Sequence, residues 1–253
     1  MKAYILALNG EPRNADLIPS LVFAGLNVCI ISGTTIESAK KYLQGINSSK
    51  RRGGQLNDYE RACAYGHLKM QTEAYSQGDD WNLFLEDDAV LDKNLFEKIL
   101  GAVNQLPRGI TLLGVCGGLA YRRPFNIELG LFKLVENMFN GSHAYIADRV
   151  TIGEVIKSSW DLPNYADRFP RPRRTKMFVL HPFAAFQMKE NSPVISRGAG
   201  IDSRGRLKKS LSLAFHDLKD LYKSHFLSGR TLGHLLSHSG RRNFFLRLPG
   251  CRD

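Results

Sequence analysis

The sequence predicts an α/β protein whose mostly parallel central sheet is flanked by helices. Short apolar runs of strand length alternate along the chain with segments of helical periodicity. Gly, Asn, Asp or Thr stands at most of the junctions, where turns and helix caps are expected. The run Trp81-Asn82-Leu83-Phe84-Leu85 is almost wholly apolar, as suits a strand covered on both faces, and three acids follow it directly: Glu86, Asp87 and Asp88.

The elements follow in order. Residues 3–8 read as a first strand and 16–24 as a helix. Asn27-Val28-Cys29-Ile30-Ile31-Ser32 is a second strand closed by Gly33, and 34–43 is a helix started by Thr34 or Thr35. Lys50-Arg51-Arg52-Gly53-Gly54-Gln55 is a basic, glycine-rich loop. Asn57 or Asp58 then caps a long helix reaching about residue 75. After the strand at 81–85 come a helix at 94–105, a strand at 110–115 and a strand pair within 119–135. A strand at 142–147 leads into a helix at 148–158, and 177–180 is a late strand. Residues 192–205 form the best linker, dividing a catalytic-sized part, 1–200, from a basic C-terminal extension, 201–253. That extension carries a helical pattern at 207–226, with Lys208, Lys209, Lys219 and Lys223 beside an apolar set.

Composition limits the function classes. With 253 residues, 43% hydrophobic and 10% aromatic, the chain has the material for a sizeable core and is not of disordered type. No apolar stretch approaches the ~18 residues of a membrane-spanning helix, and the N-terminus reads as a strand rather than a signal peptide. Four cysteines without a CxxC pair are expected as free thiols in a reducing cytoplasm. The net charge is +11, and residues 204–253 hold eleven Lys/Arg against three Asp/Glu. A second basic cluster comprises Arg168, Arg171, Arg173 and Arg174. Such clustering suits a polyanionic partner: nucleic acid, an anionic membrane surface or a phosphorylated glycolipid. Helix-turn-helix, zinc-finger and RNP signatures are lacking, and a nucleic-acid partner is not expected.

The acidic triplet has two readings. In open α/β sheets ligands bind beyond the carboxyl ends of the strands, where these acids would sit. Adjacent carboxylates repel unless cations or water offset them, and a hard divalent ion held with substrate phosphate is a natural partner. Alternatively the acids form a solvated turn before a helix starting near Asp92. Glu60 and His67 lie seven positions apart on one helix, about two turns, and so share a face. They point at a ligand together, or each is satisfied locally.

The segment Leu56-Asn57-Asp58-Tyr59-Glu60-Arg61-Ala62-Cys63-Ala64-Tyr65-Gly66-His67-Leu68 resembles the Leu-Thr-x-Gly-Glu-x-Ala-Cys-x-x-Ser-His-Leu motif of glycosyltransferase family 25. The following Leu85-Glu86-Asp87-Asp88, then Gly141-Ser142-His143-Ala144-Tyr145 and Trp160-Asp161-Leu162-Pro163, are similar to later family segments in the same order. Tyr59 and Gly66 depart from the family's Gly and Ser. Asn9 and Arg13 stand where its Asn-Leu-x-x-x-x-x-Arg pattern would lie.

The resemblance implies a GT-A-type fold and inverting transfer of a hexose from a nucleotide-sugar to a lipooligosaccharide or other glycan. UDP-galactose is the first-choice donor and UDP-glucose the second. It implies Mn²⁺ or Mg²⁺ on Asp88, with His181 as a second ligand and His143 as a weaker candidate. Glu86, Asp87, Glu60 and His67 become donor contacts. Asp161 is the candidate general base, with a turn cap as its other reading and Asp167 as the fallback. Arg51 and Arg52 meet the diphosphate or lie in a solvated loop. The basic tail suggests a cytoplasmic protein peripherally attached to the inner face of the membrane, or else a helix packed on the domain with its lysines in water.

Overall fold

The computed structural model describes residues 1–46, 56–116, 118–139, 141, 143–162, 176–188 and 245–248. Among these residues, eleven strands and five α-helices alternate. In order they are β1 (Lys2–Ala7), α1 (Leu17–Phe23), β2 (Asn27–Ser32), α2 (Ile36–Gln44), α3 (Asp58–Gln77), β3 (Trp81–Glu86), β4 (Ala89–Leu91) and α4 (Lys93–Gly101). They continue as β5 (Ile110–Leu112), β6 (Gly118–Asn126), β7 (Leu131–Phe139), β8 (Ala144–Asp148), α5 (Arg149–Ser159), β9 (Met177–Leu180), β10 (Ala185–Gln187) and β11 (Phe245–Leu248).

Nine of the described strands form one sheet in the order β11-β6-β7-β9-β5-β8-β3-β1-β2, and β10 pairs with β4 in a small second sheet. The α/β class is as expected. The main sheet is mixed: β1, β2, β3, β5, β6 and β9 run one way, β7, β8 and β11 the other. Of the extension at 201–253, only Phe245–Leu248 is described, a strand paired antiparallel with β6. The helix expected at 207–226 and the linker at 192–205 lie outside the described residues. Among the described residues no helix is long and apolar enough to cross a membrane. Cys29 and Cys63 are free, but Cys116 is disulfide-bonded. This corrects the expectation of free thiols throughout, because spacing along the chain does not reveal which sulfurs a fold brings together.

The period-two alternation of strands decides which helix each residue meets. Ala3, Ile5 and Ala7 of β1, with Leu83 and Leu85 of β3, share a buried cluster with Leu17 and Leu21 of α1 and Phe96 and Ile99 of α4. The intervening Tyr4 and Phe84 face the other way, against Met70 and Ala74 of α3 and Ile152 and Val155 of α5. Phe84 is fully buried, its ring stacked between Tyr4 at 5.8 Å and Tyr145 at 4.7 Å. Burying such a ring stabilises by roughly 1.5–3 kcal/mol, and each aromatic pair adds about 0.5–1.5 kcal/mol.

Helix α3 is held at both ends and laid close on the sheet. Asn57 accepts from the Glu60 amide at 2.9 Å while Glu60 accepts from the Asn57 amide at 2.8 Å, a reciprocal capping box. Gly78, at φ +87°, ends the helix in the left-handed conformation that glycine adopts without strain. Gly66 faces β1, where a Cβ would come within 3.1 Å of the Leu6 side chain.

Candidate active site

The route of the chain places a crevice at the acidic triplet. From β1 the chain passes through α1 to β2 on one side. It then crosses to β3 on the other side of β1. Between β1 and β3, where connections leave in opposite directions, the carboxyl ends of parallel strands leave the crevice in which α/β proteins bind ligands. Glu86 ends β3 at this point.

Strand alternation carries on into the acids. Glu86 has the parity of Phe84 and so faces α3, where its Oε1 lies 3.3 Å from His67 Nε2. The two atoms are at ion-pair distance but not aligned as a hydrogen bond. His67 is buried. Burial alone would push the imidazole down, but the Cys63 sulfur and the Glu86 carboxylate more than offset this and raise it from 6.5 to about 10. Burial likewise works against charge on Glu86, and His67, His143 and Arg13 hold its carboxyl below the usual range. Both shifts favour an imidazolium–carboxylate pair.

Asp87 and Asp88 meet the α1 side. Arg13, in the loop between β1 and α1, donates from Nε and Nη2 to Asp87 Oδ1 at 2.9 and 2.6 Å. Its Nη2 also lies 2.9 Å from Asp88 Oδ2. Asn14 fixes this loop: its amide donates to the Asp87 carbonyl at 3.0 Å and its side chain to the Ala89 carbonyl at 2.7 Å. From β10, Gln187 Nε2 donates to Asp88 Oδ2 at 3.1 Å, and the Met188 amide donates to the Asp88 carbonyl at 2.9 Å. Burial and the nearby Glu86 push the Asp88 carboxyl up, against the opposing pull of Arg13 and Gln187. Three acids thus face two cations, which leaves one negative charge in excess.

A divalent ion fits this donor set in one specific way. Asp88 is 1% exposed, and its Oδ1 has no hydrogen-bond partner among the described residues. A buried carboxylate oxygen without a donor is costly unless a cation or water meets it. No three His, Cys, Asp or Glu side chains among the described residues converge as a complete metal cage. An ion here would therefore be held by Asp88, with its other positions supplied by water and a substrate's phosphate oxygens, the usual manner of Mg²⁺.

The expected site residues separate into groups. Glu86, Asp87, Asp88 and His67 come together. Glu60 does not join them, being committed to the capping box at the far end of the His67 face. His181 lies elsewhere: its ring packs edge-on to Phe132 and Phe183. It lines a cavity of about 190 Å³ with Leu95, Ile99, Gly130 and Leu180. The side chain that meets Asp88 from this part of the chain is Gln187.

His143, like His67, lies near the triplet. It is buried, its carbonyl accepts the Glu86 amide at 2.8 Å, and its Nε2 lies 3.4 Å from the Ala185 carbonyl oxygen. Asp161 is a buried residue just after α5, beside Tyr42, whose hydroxyl donates to the Trp160 carbonyl at 2.6 Å. Leu162 next to it packs on Leu43, Ala64 and Leu68. Asp167, Arg51 and Arg52 lie outside the described residues. The triplet is not the helix cap: Asp92 caps α4, accepting from the Leu95 amide at 3.0 Å.

Sequence reasoning did not find Gln187. Its partner is 99 positions away, and nothing in a three-residue strand announces such a pairing. Two cavities lie away from the acids. One is that of His181, and the other, about 220 Å³, lies at the opposite end of β1 beside Lys2, Asn27 and Gln77. The triplet combines buried charge, convergent cations and an unsatisfied oxygen.

No protein-family model matches the chain, and no curated protein matches it. Solved structures similar to it include A197 from STIV, at 13% identity and a TM-score of 0.43 over 74% of this chain and 86% of that one. Another is mannose-1-phosphate geranyltransferase from Thermus thermophilus, at 12% identity and a TM-score of 0.40 over 71% and 73%. A third is HddC from Yersinia pseudotuberculosis complexed with GMP-PN, at 11% identity and a TM-score of 0.35 over 74% and 93%. Likenesses this distant carry no argument about chemistry, and family 25 stands as a resemblance of motifs.

Proposed function

We propose that this chain is a metal-dependent inverting glycosyltransferase that moves a hexose from a nucleotide-sugar, UDP-galactose in the first instance, to a glycan acceptor. The observation that carries this reading is the unpartnered, buried Asp88 Oδ1 in the crevice between β1 and β3. A divalent ion held by Asp88 would supply positive charge against the departing diphosphate, an effect worth several kcal/mol of barrier. The chain's own residues do the rest. Asp88 supplies the oxygen that holds the ion. Asp87 and Glu86, the latter held by His67, present their free edges to the donor's ribose and sugar hydroxyls. Asp161 is the carboxylate proposed to take the acceptor proton, which requires it to come within about 3 Å of that hydroxyl.

The test is hydrolysis of a panel of UDP-, GDP- and CMP-sugars with Mn²⁺, by the native chain and by Asp88→Asn. Turnover of one donor class, reduced by about 100-fold or more in the variant, supports the reading. Turnover of none, or turnover indifferent to Asp88, removes it. Attachment of the basic 201–253 segment to an anionic surface is a separate part of the proposal. Co-sedimentation with vesicles containing anionic lipid, but not with neutral ones, would support it.

A further inference from the structure

Arg13 bridges the aspartate pair from the loop between β1 and α1. Its guanidinium takes Asp87 Oδ1 twice and Asp88 Oδ2 once, while Gln187 holds Asp88 Oδ2 from β10. Asp88 Oδ1, buried and without a hydrogen-bond partner, is left for a further cation. An arginine is charged at every relevant pH. A divalent ion on Asp88 would therefore stand beside a fixed positive charge at hydrogen-bond range, and the two repel.

The structure gives Arg13 a way to yield. Its side chain is 38% exposed, against 7% for Asp87 and 1% for Asp88. Its backbone neighbour Asn14 is tied to the Asp87 and Ala89 carbonyls. Swinging the guanidinium towards solvent would not require the loop to move.

We propose that Arg13 is a resident counter-ion of the Asp87–Asp88 pair, and that a divalent cation and the guanidinium are alternative occupants of it. Binding of the cation releases Arg13. Because Asn14 pins its backbone, the freed guanidinium remains within a side-chain length of the pair, where it meets the anionic diphosphate that accompanies the cation. This deepens the transferase reading and rests on it for the diphosphate, but the exchange itself involves the metal alone.

The test is Mn²⁺ binding without nucleotide, by calorimetry or electron paramagnetic resonance, to the native chain, Arg13→Gln and Arg13→Lys. Removing the competitor is expected to tighten Mn²⁺ binding by about tenfold or more in Arg13→Gln, with Arg13→Lys between. A second readout uses the native chain and so does not depend on a variant folding: the Arg13 Nε–H resonance should shift and lose exchange protection as Mg²⁺ is added, and should not respond in Asp88→Asn. Equal or weaker binding in Arg13→Gln, an Arg13 resonance indifferent to Mg²⁺, or no metal binding by any of these chains would overturn the proposal. Donor hydrolysis, measured separately, judges the transferase reading.

Discussion

Replacing His67 by Gln should remove a specific pH dependence from the stability of the fold. In the native chain His67 binds its proton with a value raised from 6.5 to about 10. At about 1.4 kcal/mol per tenfold change, this corresponds to roughly 5 kcal/mol. The folded value lies above the unfolded one, so the contribution is complete below about pH 6.5 and is lost as pH rises through about 10. Between about pH 7 and 9 the folded state holds one proton that the unfolded state has mostly released, and native stability should fall by about 1.4 kcal/mol per pH unit. Urea denaturation at several pH values across that range measures it, with His67→Gln as the reference that subtracts every other titrating group. The variant should be less stable at neutral pH, because Glu86 loses its cation, and flatter with pH. Parallel curves for the two proteins over that range would refute the imidazolium–Glu86 pair.

Asp88→Asn should cost activity but not stability. Burial and Glu86 disfavour the ionised carboxylate, so a neutral isostere should leave the melting temperature unchanged or raise it by about 2–4 °C, the scale of ~1 kcal/mol in a chain of this size. Glu60→Gln keeps a capping box and should leave donor hydrolysis within about twofold of native, whereas Asn57→Ala should lower stability by about 1 kcal/mol in thermal denaturation. Phe84→Ala should destabilise by about 3–5 kcal/mol in the same measurement, since it empties a site between two stacked rings. A Cβ at Gly114 would collide with the Ala185 carbonyl oxygen and lie 2.8 Å from His143 Nε2. Gly114→Ala should therefore destabilise by about 1–3 kcal/mol and disturb His143 in nuclear magnetic resonance spectra.

The half of the fold that holds the site was largely legible in the sequence. Strand β2 at Asn27–Ser32 and strand β9 at Met177–Leu180 fall where their apolar runs predict. The start of α3 follows from Asn57, with Glu60 three residues on. The acids were readable as a strand-end cluster because five buried residues precede them. What could not be read was non-local. Strands β4 and β10 have three residues each and exist by pairing with each other. Gln187 reaches Asp88 only through that pairing. Glu60 and His67 do share a helical face, but whether a residue near a helix start serves a ligand or the helix itself is decided by the cap. His181 and His143 both precede or follow apolar strands. Only the antiparallel placement of β8 beside β3 selects His143 as the neighbour of Glu86. Arg13 was visible only as a fragment of a family pattern, and its partner Asp87 is 74 residues away.

The most direct test of the account is where a nucleotide binds. Backbone amide resonances should be followed while UDP is added in the presence of Mg²⁺. The account predicts saturable shifts centred on Leu8 to Arg13 and on Glu86 to Ala89, abolished by Asp88→Asn. Shifts centred on Gly130 and His181 instead, or no shift at millimolar UDP, would contradict it.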